Sequence, residues 1–69
     1  MTTENKFYEF ENKNNGGRER VYRTDGKYFI SSDWGDGFFG KTEVTRSQME
    51  AVLSHTNAPE YVVNGILGK

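Results

Sequence analysis

Residues 18–34 read RERVYRTDGKYFISSDW, and this stretch decides the fold. At its centre lies Asp25-Gly26, a dipeptide that accepts the positive φ angles of a two-residue hairpin turn at low cost. The segments on either side, residues 18–24 and 27–34, are rich in the aromatic and β-branched residues that are typical of strands. The stretch therefore predicts an antiparallel hairpin.

Two further turn signals flank this hairpin. Residues 14–17 read Asn-Asn-Gly-Gly and residues 35–37 read Gly-Asp-Gly, and clusters of this composition separate strands. They set apart strand-like segments over residues 6–12 and about 38–45. Because all the connections are short, the sequence predicts a four-stranded antiparallel meander.

A helical period follows the fourth strand. Thr45 and Gln48 form a capping box, in which the threonine oxygen accepts from the third helical N–H and the glutamine reaches back. Because the residue before Pro59 is pushed out of the α region, the helix is expected to end near Asn57. Its apolar face follows the i, i+3, i+4, i+7 spacing and consists of Met49, Val52, Leu53 and Thr56.

The C-terminal tail has two interpretations. One pattern is typical of a helix start: Asn57 is the cap, Pro59 lies in the first turn, and Glu60 follows the cap by three residues. Gly68 would end that helix. Alternatively, Asn64-Gly65 between apolar pairs is a hairpin signal. The helix is favoured because only four residues follow that turn, which is short even for an edge strand. Its broad apolar face would consist of Val62, Val63, Ile66 and Leu67.

The predicted fold class is α+β, a four-stranded antiparallel meander (ββββ) followed by one or two C-terminal α-helices packed on one sheet face. Residues 1–69 are expected to form a single small domain, with residues 1–5 as a flexible N-terminus. The chain of 69 residues is too short for a multidomain enzyme. Only 33% of its residues are hydrophobic, so its ten aromatic residues must supply much of the core.

Charge and cysteine content narrow the function classes. Nine Lys and Arg residues against ten Asp and Glu residues give a net charge of −1, whereas a dedicated duplex-DNA binder usually has a basic excess. The absence of cysteine excludes disulfides and Cys-ligated zinc. The N-terminal residues lack an apolar signal core, and no segment approaches the ~20 apolar residues that span a bilayer. We therefore expect a cytoplasmic protein with no membrane association.

Residues 35–42, Gly-Asp-Gly-Phe-Phe-Gly-Lys-Thr, match the pattern GxxxxGK[ST] of a phosphate-binding loop. In such a loop the phosphate lies at the N-terminus of a helix that begins at the Lys-Thr pair. Here the predicted helix cap is at Thr45, and residues 41–45 have the pattern of a strand. Nucleotide binding is therefore a third alternative, without the structural context that the motif requires.

The sequence offers no catalytic or metal-binding set. His55 is the only histidine, and a metal site or a general base needs further partners; it is expected to lie exposed in the last turn of the first helix. Asp33, Asp36 and Glu43 do not have the spacing of a calcium loop, so the two aspartates are expected to form Asx-type turn bonds. The prediction is a non-enzymatic protein with no cofactor and no metal.

Basic and aromatic residues alternate on the second and third predicted strands. Arginines interleaved with aromatic rings on a sheet are typical of single-stranded nucleic-acid binders. The residues of this alternative site are Arg18, Arg20, Tyr22 and Arg23, together with Phe29. A structural alternative is cross-strand pairing of the arginines with Glu9 and Glu11.

Three pairs of adjacent aromatic residues, 7–8, 28–29 and 38–39, lie on predicted strands. Because adjacent strand residues point to opposite faces, the second sheet face is expected to be aromatic too; Phe38 is expected to share a face with Val44. Exposed aromatic patches usually mark contact surfaces, although self-packing of these rings is an equal alternative.

The leading functional hypothesis is a protein–protein interaction module. It would be a small inhibitor or regulator of the kind that phages and mobile elements encode, acting in the host-cell cytoplasm if phage-encoded. Its partner would be a larger protein or complex, and a homodimer is a further expectation. The expected partner-binding residues are Asp33, Trp34, Asp36, Phe38, Phe39 and Phe29.

Overall fold

In the computed structural model, which describes residues 5–33, 35, 37–38 and 40–68, four strands precede two helices. The strands pair antiparallel in the order β1-β2-β3-β4, so the predicted α+β meander is confirmed. The elements are β1 Asn5–Glu11, β2 Arg18–Thr24, β3 Lys27–Asp33, β4 Thr42–Val44, α1 Arg46–His55 and α2 Glu60–Leu67.

The central hairpin forms where the sequence predicts it. Thr24 pairs with Lys27 at the closed end of β2 and β3. The two turn residues, Asp25 and Gly26, have φ angles of 53° and 77°, as a turn with two left-handed central residues requires. Asn5 pairs with Thr24, so β1 begins inside the N-terminal segment that was expected to be flexible; residues 1–4 lie outside the described residues.

The fourth strand is shorter than predicted. Only Thr42–Val44 pairs with β3, while Phe38 forms an isolated bridge with Asp33. Strand alternation does not carry across residues 40–41, which have no strand structure. Phe38 therefore lies on the face that carries Arg20, whereas Val44 packs against the core on the other face. The prediction that Phe38 and Val44 share a face is wrong.

The core lies between one sheet face and both helices, as predicted. α1 contacts β3, and α2 contacts β1 and β2. We call the sheet face that carries Val21 the inner face, since Val21 is 1% exposed and lies in this core. The buried core residues are Phe10, Val21, Tyr28, Met49, Leu53, Val62, Ile66 and Leu67.

The predicted capping box of α1 is present. Thr45 Oγ1 accepts from the Gln48 backbone N–H at 3.1 Å, and Gln48 Oε1 accepts from the Thr45 N–H at 2.8 Å. Met49 and Leu53 are buried on the predicted face.

The helical interpretation of the tail is confirmed, but the cap of α2 is Pro59 and not Asn57. Asn57 has a φ of 57° and belongs to the end of α1. Its N–H donates to Ser54 O at 3.3 Å, and the Ala58 N–H donates to Leu53 O at 2.9 Å, which is the bond pattern of a Schellman motif. Gly68, with a φ of 75°, ends α2 as predicted.

No helix among the described residues is long and apolar enough to cross a membrane.

Candidate functional site

The sheet face opposite the core, here called the outer face, carries a row of aromatic residues. In the strand register Phe7 lies opposite Tyr22, and Tyr22 lies opposite Phe29. The Phe7 and Tyr22 rings stack with centroids 5.1 Å apart and an interplanar angle of 30°. Such offset pairs contribute about 0.5–1.5 kcal/mol beyond the area that they bury.

Two cations lie over these rings. Lys41 Nζ is 4.8 Å from the Tyr22 centroid and 5.4 Å from the Phe29 centroid. Arg20 Cζ is 3.6 Å from the Phe38 centroid and 5.8 Å from that of Phe7. These are cation–π distances, so four rings and two cations form one continuous outer cluster. Its members are Phe7, Arg20, Tyr22, Phe29, Phe38 and Lys41.

A carboxylate fixes the arginine of the cluster. Glu9 Oε1 accepts from Arg20 Nε at 2.9 Å, and Glu9 Oε2 lies 2.6 Å from an Arg18 guanidinium nitrogen. The hydrogen bond from Arg20, and next the one from Arg18, lowers the pKa of the Glu9 carboxyl. The same bond to Glu9 raises the pKa of Arg20. The predicted cross-strand pairing is therefore present between Glu9 and both Arg18 and Arg20, while no ion pair among the described residues includes Glu11.

Exposure differs sharply within the outer cluster. Phe7 is 54% exposed, while Tyr22, Phe29 and Phe38 are half-buried. Their inner-face neighbours Tyr8 and Tyr28 pack against the core, so the first two aromatic pairs divide between the faces as predicted. The outer cluster is thus partly self-packed and leaves its β1 end open to solvent.

The connection after β3 begins with the predicted Asx-type bonds. Asp33 Oδ1 accepts from the backbone N–H groups of Gly35 and Gly37, at 2.8 and 3.0 Å. The Asp33 carboxylate therefore shapes the loop that brings Phe38 beside Arg20. The other predicted contact residues of this loop, Trp34, Asp36 and Phe39, lie outside the described residues.

The structure brings four of the five residues of the alternative nucleic-acid site to one face, Phe29 among them, and leaves out Arg23. Arg18, Arg20 and Tyr22 lie on the outer face, but Arg23 lies on the inner face, since adjacent strand residues alternate. Arg23 Nη1 donates to Ile66 O at 3.2 Å, and its guanidinium lies 5.5 Å from the Tyr28 ring centroid.

The GxxxxGKT match has no helix at the required place. Thr42 begins β4, and α1 begins four residues later at Arg46. Lys41 points to the rings of the outer cluster. His55 is exposed in the last turn of α1, as predicted. Within the described ranges, no group of three or more His, Asp or Glu side chains could hold a metal ion.

Sequence analysis missed a buried polar group on the inner face. Glu19 is 5% exposed and Asn12 is 6% exposed. Glu19 Oε2 accepts from Asn12 Nδ2 at 3.1 Å, and Glu19 Oε1 accepts from Ser32 Oγ. The alternation of strand side chains could have placed Glu19 on the inner face, because it is two residues from the core residue Val21 and so must share its face.

Comparisons with protein-family models, with curated proteins and with solved structures found no match. Function is therefore inferred from the geometry of the chain itself.

Proposed function

We propose that the chain is a non-enzymatic protein-interaction module that binds a larger protein through the outer face of its sheet. The observation that carries the proposal is the stacked Phe7–Tyr22 pair, more than half exposed at Phe7, on the face that the described helices leave uncovered. Phe, Tyr and Arg are enriched at the centres of protein interfaces. The outer cluster combines all three.

The charges of the outer face favour a protein partner over a nucleic acid. Two of its cations, Arg18 and Arg20, are held by Glu9, which reduces their capacity to neutralise phosphates. Charged residues of both signs lie on this face beside the rings, as in the polar rim of a protein interface. The charged residues of this face are Glu9, Glu11, Arg18, Arg20, Lys27, Asp33, Lys41 and Glu43.

The size of the sheet is compatible with regulation by surface occlusion. A standard interface covers about 800 Å² on each partner, and the whole chain exposes 4531 Å². A contact of that size would cover less than a fifth of the exposed surface. We infer that the module acts as a small inhibitor or regulator by covering a surface of its partner.

Affinity capture with matched variants tests the proposal. The immobilised chain is compared with Phe7→Ala and with Tyr61→Ala, and captured proteins are identified by mass spectrometry. Tyr61 is the matched control because it is an aromatic residue 62% exposed on α2, away from the outer face. We expect the Tyr61 variant to retain the partner and the Phe7 variant to lose it. Equal capture by both variants would contradict the proposal.

A second candidate is single-stranded nucleic-acid binding, which one observation favours. Phe7, Tyr22 and Phe29 lie side by side on three adjacent strands, with Lys41 above the last two, and bases stack on such rings. Titration of a labelled oligonucleotide at low and high salt tests it. Salt-sensitive binding that Phe7→Ala removes would replace the protein-binding proposal with this one.

A further inference from the structure

A cleft lies on the inner side of the molecule, away from the outer cluster. Its volume is about 560 Å³, within the range of small-ligand sites. Glu19, Ile30 and Ser32 of the sheet form one wall, and Ala51, Val52 and His55 of α1 form the other. Asn12, Asn15 and Thr56 complete the lining, so the cleft combines an apolar strip, formed by Ile30, Ala51 and Val52, with polar side chains and one carboxylate.

The Glu19 carboxylate is buried with neutral donors only, as far as the described residues go. Its partners are the Asn12 amide and the Ser32 hydroxyl, and none of the ion pairs among the described residues includes it. Burying a carboxylate without a counter-ion is costly. An ionised carboxylate has about four acceptor sites, so Glu19 has acceptor capacity for a further donor from the cleft.

We propose that this cleft binds the end of an alkylammonium group, with the ammonium on Glu19 and its methylenes against Ile30 and Val52. A compact ammonium suits the site better than a guanidinium. Asn12 and Ser32 occupy one acceptor site on each Glu19 oxygen; an ammonium needs only one of the sites that remain, whereas a guanidinium fork needs the remaining site on both oxygens at once. Either a small free amine or a lysine side chain of a partner protein carries this group.

The test is a titration of the ¹⁵N-labelled chain with n-butylammonium, with n-butanol as the neutral probe of equal shape. We expect saturable, millimolar binding of the amine, with amide shifts at Glu19, Ser32 and Val52, and no saturable binding of the alcohol. Glu19→Gln should weaken the amine by at least about tenfold, since it removes a charge-assisted hydrogen bond. Glu43→Gln, the same change on the outer face, should have no effect.

The Glu19→Gln variant is expected to fold. Its amide oxygen can accept from Asn12, and its amide nitrogen can donate to Ser32, whose hydroxyl rotates to accept. Ala51→Leu supplies a second variant, since it fills the cleft from an exposed helix position without changing the charge. It should weaken the amine as well.

One further probe, a lysine peptide, distinguishes the two sources of the ammonium group. Tighter binding of acetyl-Gly-Lys-Gly-amide than of n-butylammonium identifies a partner lysine, and the reverse order identifies a free amine. The proposal is overturned if the alcohol binds as well as the amine, if Glu19→Gln binds normally, or if no amide shifts saturate. None of these outcomes bears on the outer face, because no residue of the outer cluster lines the cleft.

Discussion

Gly65 occupies a position in α2 where even a methyl group would collide. A Cβ built there would overlap the Tyr8 hydroxyl and its ring carbon Cζ. Glycine to alanine inside a helix normally stabilises by about 0.5–1 kcal/mol, while forcing an extra carbon into packed surroundings costs about 1–3 kcal/mol. We expect Gly65→Ala to destabilise the fold by about 1–2 kcal/mol in urea unfolding.

The collision is separable from other effects by a double-mutant cycle. In a Tyr8→Ala background the added methyl group at Gly65 has room, so Gly65→Ala should there be neutral or stabilising. A stabilising effect of Gly65→Ala in the unmodified chain would show that the Tyr8 side chain does not exclude a methyl group at this position.

The contribution of the Glu9 carboxylate to folding stability depends on pH, and the direction of that dependence follows from its contacts. Hydrogen bonds from Arg20 and then Arg18 lower its folded-state pKa. Its contribution to folding is therefore present above the ordinary glutamate value of about 4.3, and it is lost as the pH falls through the lower folded-state pKa. NMR titration of the Glu9 carboxyl should give a midpoint below the ordinary value. Because Arg20 is the larger cause, Arg20→Gln should raise that midpoint more than Arg18→Gln; the opposite order would contradict this assignment.

At the scale of elements, α2 depends on the rest of the chain for its C-terminal end. The helix has no basic residue in its last turn. Instead, three cations from elsewhere donate to its last carbonyls: Lys6 to Gly65 O at 3.2 Å, Arg23 to Ile66 O at 3.2 Å and Arg46 to Leu67 O at 3.1 Å. Cations there oppose the helix dipole and satisfy the terminal carbonyls.

These contacts predict that α2 is sensitive to charge on β1. Lys6→Met keeps much of the aliphatic stem and removes the ammonium, and we expect a loss of about 0.5–1 kcal/mol in the free energy of unfolding. Lys27→Met serves as the control, because Lys27 is exposed at the start of β3, and it should be neutral. Hydrogen exchange at Gly68, whose N–H closes the helix on Asn64 O, should accelerate in the Lys6 variant alone. Equal effects of the two substitutions would show that the contact of Lys6 with the end of α2 does not stabilise the fold.

The elements that the sequence predicts correctly depend on neighbours along the chain. Asp25-Gly26 and the Thr45–Gln48 box act within four residues, and both are present. Asn57 was misassigned because asparagine serves equally well as a helix start and as a left-handed helix end.

The features that sequence reasoning did not reach depend on residues far apart. The Lys6–Gly65 hydrogen bond spans 59 positions and the Asn12–Glu19–Ser32 group joins three segments. The packing of α2 on β1 creates the first, and the pairing of β2 with β3, which places Glu19 opposite Ser32, creates the second. For the candidate site, strand alternation predicted that the second sheet face carries aromatic rings, but it placed Phe38 on the face of Val44; the position of Phe38 beside Arg20 depends on the break before β4.

The molecule as a whole is two-sided. The buried apolar residues lie between the inner face and both helices, while ring stacking and cation–π contacts hold the side chains of the outer face together. β1 is an edge strand of the sheet, so the outer cluster ends at an edge where a second strand could pair. The simplest alternative is that a second copy of the chain pairs at this edge and covers the outer face. Light scattering of the chain and of Phe7→Ala would identify it by a dimer mass that the variant loses.

The two-sided arrangement predicts unequal stability costs for truncating large apolar residues. Ile66 is fully buried, so Ile66→Ala should cost about 2–5 kcal/mol through lost burial and the cavity left behind. Phe7 is a larger side chain but is 54% exposed, so Phe7→Ala should cost about 1 kcal/mol, mainly from the lost ring stacking. Urea unfolding of both variants measures the difference, with Tyr61→Ala as the exposed control. A cost at Phe7 equal to that at Ile66 would make the outer cluster a second core, and its rings would then serve folding and not a partner.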